Sequence, residues 1–369
     1  MKFVCSKSNL LTGVQTVAKA VPSKTTMSIL ECILIEADNG NIILTANDME
    51  LGIETIIEGD VLVSGKIALD AKIFLEIVRK LPDNNITIET DDNNKTTITC
   101  EKSKFNIIGK SGDDFSCLPI IEKRDPLVIS QYTLKESIRQ TILSISDNEN
   151  NKLMTGELFE INNDELKVVS LDGHRISIRK IRLKNSYPFK KVVVPGKTLN
   201  EISKILSGDM DKDVLIYFSD KHIIFEFDNT TVVSRLIEGE YFKIDQMLSN
   251  DYETKVRINK KELLSCIDRA TLLVKEGDKK PIIINIFDGS MELKINSAVG
   301  SMNEEIDITK QGKDLMIGFN PKFLIDALKV IEDEEIDIYL VNPKAPCFIR
   351  DEEGKYVYLI LPVNFTTVS

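Results

Sequence analysis

Residues Gly65–Glu89 read GKIALDAKIFLEIVRKLPDNNITIE, and their plan occurs three times in one chain. That plan is a strand, a short turn, a helix with one apolar face, an acidic or Asn-rich turn, and a second strand. It returns in KVVVPGKTLNEISKILSGDMDKDVLIYF (Lys191–Phe218) and LMIGFNPKFLIDALKVIEDEEIDIYL (Leu315–Leu340). Lysine opens each helix, at Lys72, Lys197 and Lys322, at equal separations of 125 residues. Apolar residues follow in phase: Phe74, Leu199 and Leu324 two positions on, Ile77, Ile202 and Ala327 at five, Leu81, Leu206 and Ile331 at nine. The 2-5-9 spacing keeps one helical face apolar.

Upstream of each copy a further helix repeats, in SNLLTGVQTVAKAV, YTLKESIRQTILSI and KELLSCIDRATLLV, where Leu10, Leu134 and Leu263 are each followed four residues later by Val14, Ile138 and Ile267. Between the paired helices lie alternating segments broken by turn residues, Ile33–Asp48, Glu157–Asp172 and Ile284–Ser297, which read as hairpins. Self-similarity in two helices and a hairpin predicts three homologous α+β domains, 1–124, 125–250 and 251–369, joined through the polar stretches Glu122–Pro126 and Ser249–Lys255.

The 369 residues are 42% hydrophobic and 28% charged, the make-up of an ordinary globular chain. No signal-peptide core and no apolar run long enough for a bilayer is seen, so the expectation is a cytoplasmic protein with no membrane association. Six cysteines, far apart and without zinc-ligand spacing, read as reduced and mostly buried. No metal and no cofactor is expected. A net charge of −11 argues against a nucleic-acid partner unless the charge is segregated. It is segregated: the six helical windows 7–24, 70–80, 131–145, 196–206, 260–275 and 321–331 hold 16 Lys or Arg against 7 Asp or Glu, leaving −20 for the remainder. Two helices per domain, apolar on one side and basic on the other, suit a phosphate backbone followed without base readout.

SLDGHRISI (Ser170–Ile178) carries one of only two histidines. Asp172-Gly173 reads as a tight turn between LKVVSL and RISIRKI, Asp-Gly being a strong hairpin signal. Catalysis would need a nucleophile or metal held beside His174, and the sequence supplies neither; His222, in the strand-like KHIIFEF, reads as structural. With no Gly-x-Ser-x-Gly elbow and no Gly-rich phosphate loop, no catalytic residue and no enzymatic activity is expected.

Taken together, MKF at the start, LTANDMELGI (Leu44–Ile53), DDFSCLP (Asp113–Pro119), SLDGHR (Ser170–Arg175), VVVPGKTLNEI (Val192–Ile202), IGFNPKFLIDAL (Ile317–Leu328) and YLILPV (Tyr358–Val363) give the chain a close resemblance, over its whole length, to the bacterial DNA polymerase III beta subunit, the sliding clamp. The resemblance implies a head-to-tail homodimeric ring of three-domain chains, helices lining a pore and strands forming an outer wall shared across domain boundaries. Such a ring would hold double-stranded DNA topologically and without sequence preference. Lys24, Lys72, Arg79, Lys80, Lys197 and Lys322 would face the duplex.

The resemblance also implies a pocket for short linear motifs of the replicative polymerase, the clamp loader and repair proteins. It maps to Met154, Leu171, Gly173, His174, Arg175, Ile176 and Met247, with Leu361, Pro362 and Val363 from the C-terminal segment. This chain departs from the family at YFKID (Tyr241–Asp245) and in continuing past LPVN with FTTVS. The implied dimer contact pairs the edge segment Glu101–Ile108, bearing Lys102, Lys104 and Phe105, with Leu272, Leu273, Glu304 and Glu305 of a second copy. The reading set against this one is a repeat-built interaction scaffold not bound to DNA; the basic helices on an acidic chain separate the two.

Overall fold

In the computed structural model, which describes residues 1–148, 150–274 and 280–365, the chain divides into two compact units. One holds Met1–Lys135 and Asn200–Leu236; the other holds Glu136–Leu199 and the chain from Ile237 onward. The sheets explain why the middle repeat is divided. In the first unit a nine-stranded antiparallel sheet joins Cys32–Asp38, Asn41–Asn47 and Leu51–Ile57 to Thr230–Arg235, His222–Phe227 and Asp213–Phe218, because Leu51–Thr55 pairs with Thr230–Ser234. In the second unit Arg175–Arg179 pairs with Tyr356–Ile360, so a seven-stranded sheet runs from the middle repeat into the last.

Helices α1 (Lys7–Val17), α2 (Ala71–Lys80), α3 (Gln131–Thr141), α4 (Gly196–Ile205), α5 (Lys260–Thr271) and α6 (Pro321–Val330) are the six anticipated. Every repeated apolar position is buried except Ile77, which is half-buried. Each fully buried aliphatic or Phe side chain contributes about 1.5–3 kcal/mol, so the phase of the repeat is held by packing. Local chemistry sets the helix starts: Ser6 accepts from Asn9 N (3.1 Å), Asp70 from Ile73 N (2.8 Å) and Asn320 from Lys322 N (3.0 Å), each satisfying an orphan amide.

Three helix ends fall short of the sequence reading. α1 gives way to a 3₁₀ turn at Ala18–Ala20 ahead of Pro22, and α3 does the same at Ile142–Ser144. α5 ends at Thr271, and Lys275, assigned to its window, lies outside the described residues.

Two of the three segments read as hairpins fold back on themselves; the second, Glu157–Asp172, is instead one long strand, Gly156–Leu171, that pairs with Arg175–Pro195, because its Asn-Asn-Asp run makes a break in register and not a reversal. Asn39 (φ 48°) and Gly289 (φ 80°) turn the first and third. In Gly156–Leu171 the partner register jumps between Ile161↔Lys190 and Glu165↔Arg182, with left-handed Asn163 (φ 55°) at the break. Five cysteines are buried and all six are free, Cys117 alone being exposed; burial pushes the Cys5 thiol up to about 12. Among the described residues no helix is long and apolar enough to cross a membrane, and no group of three His, Cys, Asp or Glu could hold a metal ion.

Glu157, the second residue of strand Gly156–Leu171, is fully buried and neither carboxylate oxygen has a donor. The neighbouring Thr141 hydroxyl gives its proton to Ser137 O at 2.7 Å and cannot serve. Burial therefore pushes the Glu157 carboxyl well above the ordinary range, and the folded chain keeps a proton that the unfolded chain releases. Stability from this group is present in acid and is lost as pH rises past the unfolded value toward the folded one, at about 1.4 kcal/mol per unit. Glu157→Gln should flatten that decline: urea midpoints of the full chain at pH 6 and pH 8 should lie closer together in the variant than in wild type. Equal spacing in both would show that Glu157 is ionised when folded.

Candidate peptide-binding site and DNA-facing helices

The turn between the two longest strands is built by one carboxylate. Asp172 Oδ1 accepts from His174 N (2.9 Å) and Arg175 N (3.1 Å), and Gly173 takes φ +87°, where a side chain would be strained. Asp172 Oδ2 accepts from Arg175 Nε at 3.0 Å, and Arg175 Nη1 donates to Asp326 Oδ2 on α6 at 2.7 Å. The Arg175 guanidinium lies 4.5 Å over the Phe323 ring, and the His174 ring stacks on the same phenyl at 6.1 Å between centroids. Arg175 is thus a buried cation with both faces of its charge answered.

The C-terminal segment closes one side. Leu361 N donates to His174 O (2.9 Å) and Val363 N to Gly318 O (2.9 Å). A Cβ on Gly318 would come within 2.6 Å of the Phe365 ring, so glycine there lets the tail lie against its strand. Beneath the turn an apolar cluster gathers Leu158, Val169, Leu171, Ile176, Ile178, Tyr241 and Ile244, with Met154, Leu153, Phe242 and Leu248 half-buried at its margin.

The structure thus brings together Met154, Leu171 and Ile176 in the cluster, Gly173, His174 and Arg175 in the turn, and Leu361 by a backbone bond to His174, with Pro362 and Val363 following it. Met247 is 44% exposed at the end of the 3₁₀ turn Ile244–Gln246, and its neighbour Leu248 is the side chain packed on the cluster. Asp326 and Phe323, which hold Arg175 and His174, lie some 150 residues away in sequence and carry no motif that ties them to LDGHR. His222 accords with a structural role: its amide donates to Ser219 Oγ (3.0 Å), and burial with Arg235 and Lys221 nearby holds its ring below the usual pKa.

Of the anticipated DNA-facing side chains, Lys72, Arg79, Lys80, Lys197 and Lys322 are exposed on α2, α4 and α6. Lys24 is exposed too, but it sits in a bend beyond Pro22 and not on a helix, since helical structure ends at Ala20 ahead of the proline. Glu76 pairs with Arg79 and lies 3.9 Å from Lys80, tempering the charge of α2. Three of the helical lysines are engaged elsewhere. Lys7 Nζ donates to Leu81 O (2.5 Å), Lys135 Nζ to Leu206 O (2.8 Å) and Lys260 Nζ to Ile331 O, so each sits at the C-terminal end of another helix, where a cation is favoured. The basic surface available to a ligand is therefore smaller than the count along the helices.

Among the anticipated dimer residues, Lys104 and Phe105 lie on Ser103–Ile108, an edge of the five-stranded sheet of the first unit, and Lys102 in the turn before it. Glu304 and Glu305 lie on Gly300–Asp307, an edge of the four-stranded sheet of the second unit; Leu272 is 81% exposed and Leu273 half-buried. Glu304 is already held by Arg269 Nε (2.9 Å), which keeps its carboxyl below the usual range, so Glu305 is the freer acid.

Three family models cover nearly the whole chain: the N-terminal, central and C-terminal domains of the DNA polymerase III beta subunit match residues 1–119, 128–243 and 245–364. The chain is 32% identical to the beta sliding clamp of Staphylococcus aureus, with 99% of each covered. Among solved structures it is similar to the DNA polymerase sliding clamp of Bacillus subtilis, at 34% identity and TM-score 0.95, over 99% of this chain and 100% of that one. A Eubacterium rectale chain assigned to the DNA polymerase III beta subunit is 73% identical at TM-score 0.96, with 99% and 100% covered. The fold is thus the three-domain clamp fold. The chain belongs to the DNA polymerase III beta subunit family, the bacterial beta sliding clamps.

Proposed function

We propose that two copies join head to tail into a ring that encircles duplex DNA and carries replication and repair proteins on peptide-sized pockets. The chain is a DNA sliding clamp of the polymerase III type. The observation that carries the ring reading is the threefold one: Lys72, Lys197 and Lys322 are exposed at equivalent helix positions while Phe74, Leu199 and Leu324 behind them are buried. Three equivalent basic faces per chain suit a phosphate backbone met weakly at many points, and enclosure makes tight contact unnecessary. The domains run 1–124, 125–250 and 251–369, a division supported by the three matched segments. The protein works in the cytoplasm as a processivity factor without chemistry of its own.

The peptide pocket is the groove between the turn Leu171–Arg175 and the segment Leu361–Val363, margined by Met154. A motif with glutamine, then spaced leucine and aromatic residues, would bind with roughly micromolar affinity, since so short a peptide buries little surface and loses chain entropy.

Retention tests enclosure directly. Clamp loaded on closed circular DNA should survive salt that strips ordinary phosphate contacts, and should be lost once the circle is cut. Reversing charge at Lys72, Lys197 and Lys322 together should slow loading or polymerase-coupled synthesis without altering the dimer mass. Equal loss from cut and uncut circles would remove the ring reading.

A further inference from the structure

Asn39–Gly40 is the one Asn-Gly pair in the sequence. It forms the two-residue loop between strands Cys32–Asp38 and Asn41–Asn47, whose last ladder pair is Asp38↔Asn41. Both loop residues take left-handed conformations, φ 48° and φ 82°, as the tightest hairpin turns require. Both are exposed, and a Cβ built on Gly40 would meet nothing within 4 Å. The Gly40 amide therefore lies beyond the ladder with no side chain of its own to shield it. Asn39 Nδ2 donates to Asp38 Oδ2 at 2.8 Å, and since Asp38 is itself exposed the contact does not bury the carboxamide.

Two Asp-Gly turns elsewhere show what this arrangement changes. Asp172, ahead of Gly173, has both oxygens engaged by His174 N, Arg175 N and Arg175 Nε, and its side chain is 14% exposed. Asp288, ahead of Gly289, is open to solvent, but its carboxylate pairs with Lys310 at 2.7 Å. An ionised carboxylate repels a nucleophile and offers it no leaving group, whereas a carboxamide can release ammonia. Asn185 and Asn296 carry the carboxamide, but each precedes a serine and lies within a strand, Arg175–Pro195 and Ser290–Ser297. Asn39 alone among these five combines a carboxamide, a successor without a side chain and a loop tip with open space beside it.

We propose that Asn39 is a site of spontaneous deamidation, closing a succinimide with Gly40 and leaving isoaspartate or aspartate at the hairpin tip. The Gly40 amide nitrogen, on losing its proton, attacks Asn39 Cγ; the N–Cγ bond forms, the Cγ–Nδ2 bond breaks, and Nδ2 leaves with that proton as ammonia. Water then adds to one of the two ring carbonyls. Opening at Cγ gives aspartate, and opening at the backbone carbonyl gives isoaspartate, with the main chain running through the former side chain. One water is consumed and no electron is transferred. Ring closure requires a brief departure from the turn conformation, and exposed loop tips open locally at small cost. Isoaspartate lengthens the main chain by one atom inside a two-residue loop and sets a second carboxylate beside Asp38, so the Asp38↔Asn41 pair is lost with it. The inference stands apart from the ring and the peptide pocket, neither of which uses these residues.

Incubation of the full-length protein at 37 °C and pH 8, with portions withdrawn over days and digested in acid, tests it by mass spectrometry. The peptide bearing Asn39 should gain the mass of an amide hydrolysed to an acid before those bearing Asn185 or Asn296. The gain should be severalfold slower at pH 6, where less of the Gly40 amide is deprotonated. An isoaspartyl carboxyl methyltransferase supplied with labelled S-adenosylmethionine should label the same peptide. Asn39→Gln, whose longer side chain would have to close a six-membered ring, should abolish both signals. Gly40→Ala should slow them severalfold by setting a methyl group beside the attacking nitrogen. No gain at Asn39, or gains at Asn185 or Asn296 as fast as at Asn39, would overturn the site. A gain at Asn39 without methyl label would overturn the succinimide in favour of direct hydrolysis, which gives aspartate alone.

Discussion

Arg175→Met should weaken binding of a glutamine-leucine-aromatic pentapeptide more than a hundredfold and cost about 3 kcal/mol of stability. Arg175 is 8% exposed, and its guanidinium joins Asp172, which shapes the turn, to Asp326 on α6. Methionine fills much the same space but leaves two carboxylates facing each other without a cation. The turn then loses its tie to the helix, and His174 loses the neighbour that shares its stacking partner Phe323. His174→Gln should be milder, because the His174 contact used by the C-terminal segment is its backbone carbonyl. Asp326→Asn, which keeps a hydrogen-bond acceptor for Arg175, should fall between them. Titration calorimetry gives the affinities and urea melts the stabilities. Wild-type affinity in Arg175→Met, with the expected loss of stability, would place peptide recognition elsewhere on the chain.

The largest effect on assembly is expected from Leu272→Asp with Leu273→Asp. Sedimentation at micromolar concentration should give twice the 41.6 kDa chain mass for wild type and the single mass for the variant. Leu272 is 81% exposed just after α5, and large exposed aliphatics are common at contacts between chains. In the proposed contact two added carboxylates would replace the apolar part of a face that already carries Glu304 and Glu305, and would have to be desolvated against the Phe105 edge of the second copy. The complementary variant Lys102→Glu with Lys104→Glu should likewise dissociate the dimer, and mixing the two variants should give at most a dimer joined at one seam, since the two unaltered faces form a wild-type contact while the two altered faces are both acidic. A wild-type monomer at that concentration, or a variant of dimer mass, would refute the proposed contact.

What could be read from residues alone was the part governed by periodicity. Phase at 2-5-9 placed Phe74, Leu199 and Leu324 in cores, and Asp-Gly placed a turn at Asp172–Gly173, because burial and backbone sterics act within a few residues. The helix ends were less legible, since 3₁₀ turns at Ala18–Ala20 and Ile142–Ser144 satisfy the same apolar pattern. The groove's residues on the turn could be named by resemblance, whereas Phe323 and Asp326 could not. Their part depends on where α6 lies in space, and a phenylalanine and an aspartate on an amphipathic helix look like core and solvent positions. Charge was legible in amount but not in use: a lysine at a helix end and one open to solvent are the same letter. Nor does spacing show that sheets divide the middle repeat between two units, which follows from pairings such as Val232↔Ile53 and Ile176↔Leu359.

The lysines of α1, α3 and α5 bear on how a triplicated chain diverges. In the first and last repeats the donor is the first residue of the helix, Lys7 and Lys260. In the middle repeat the equivalent position is Gln131, whose Oε1 accepts from Ser207 N at 3.0 Å and Ser207 Oγ at 2.7 Å, while Lys135, one turn further along, reaches the carbonyl of Leu206. The acceptor has stayed fixed while its donor has moved by one helical turn. A lineage can make that move without an unsatisfied intermediate only if the second lysine arrives before the first is lost. Introducing a lysine at Leu11, the position in α1 that matches Lys135, would recreate such a two-donor ancestor, in which Lys7 becomes free to mutate.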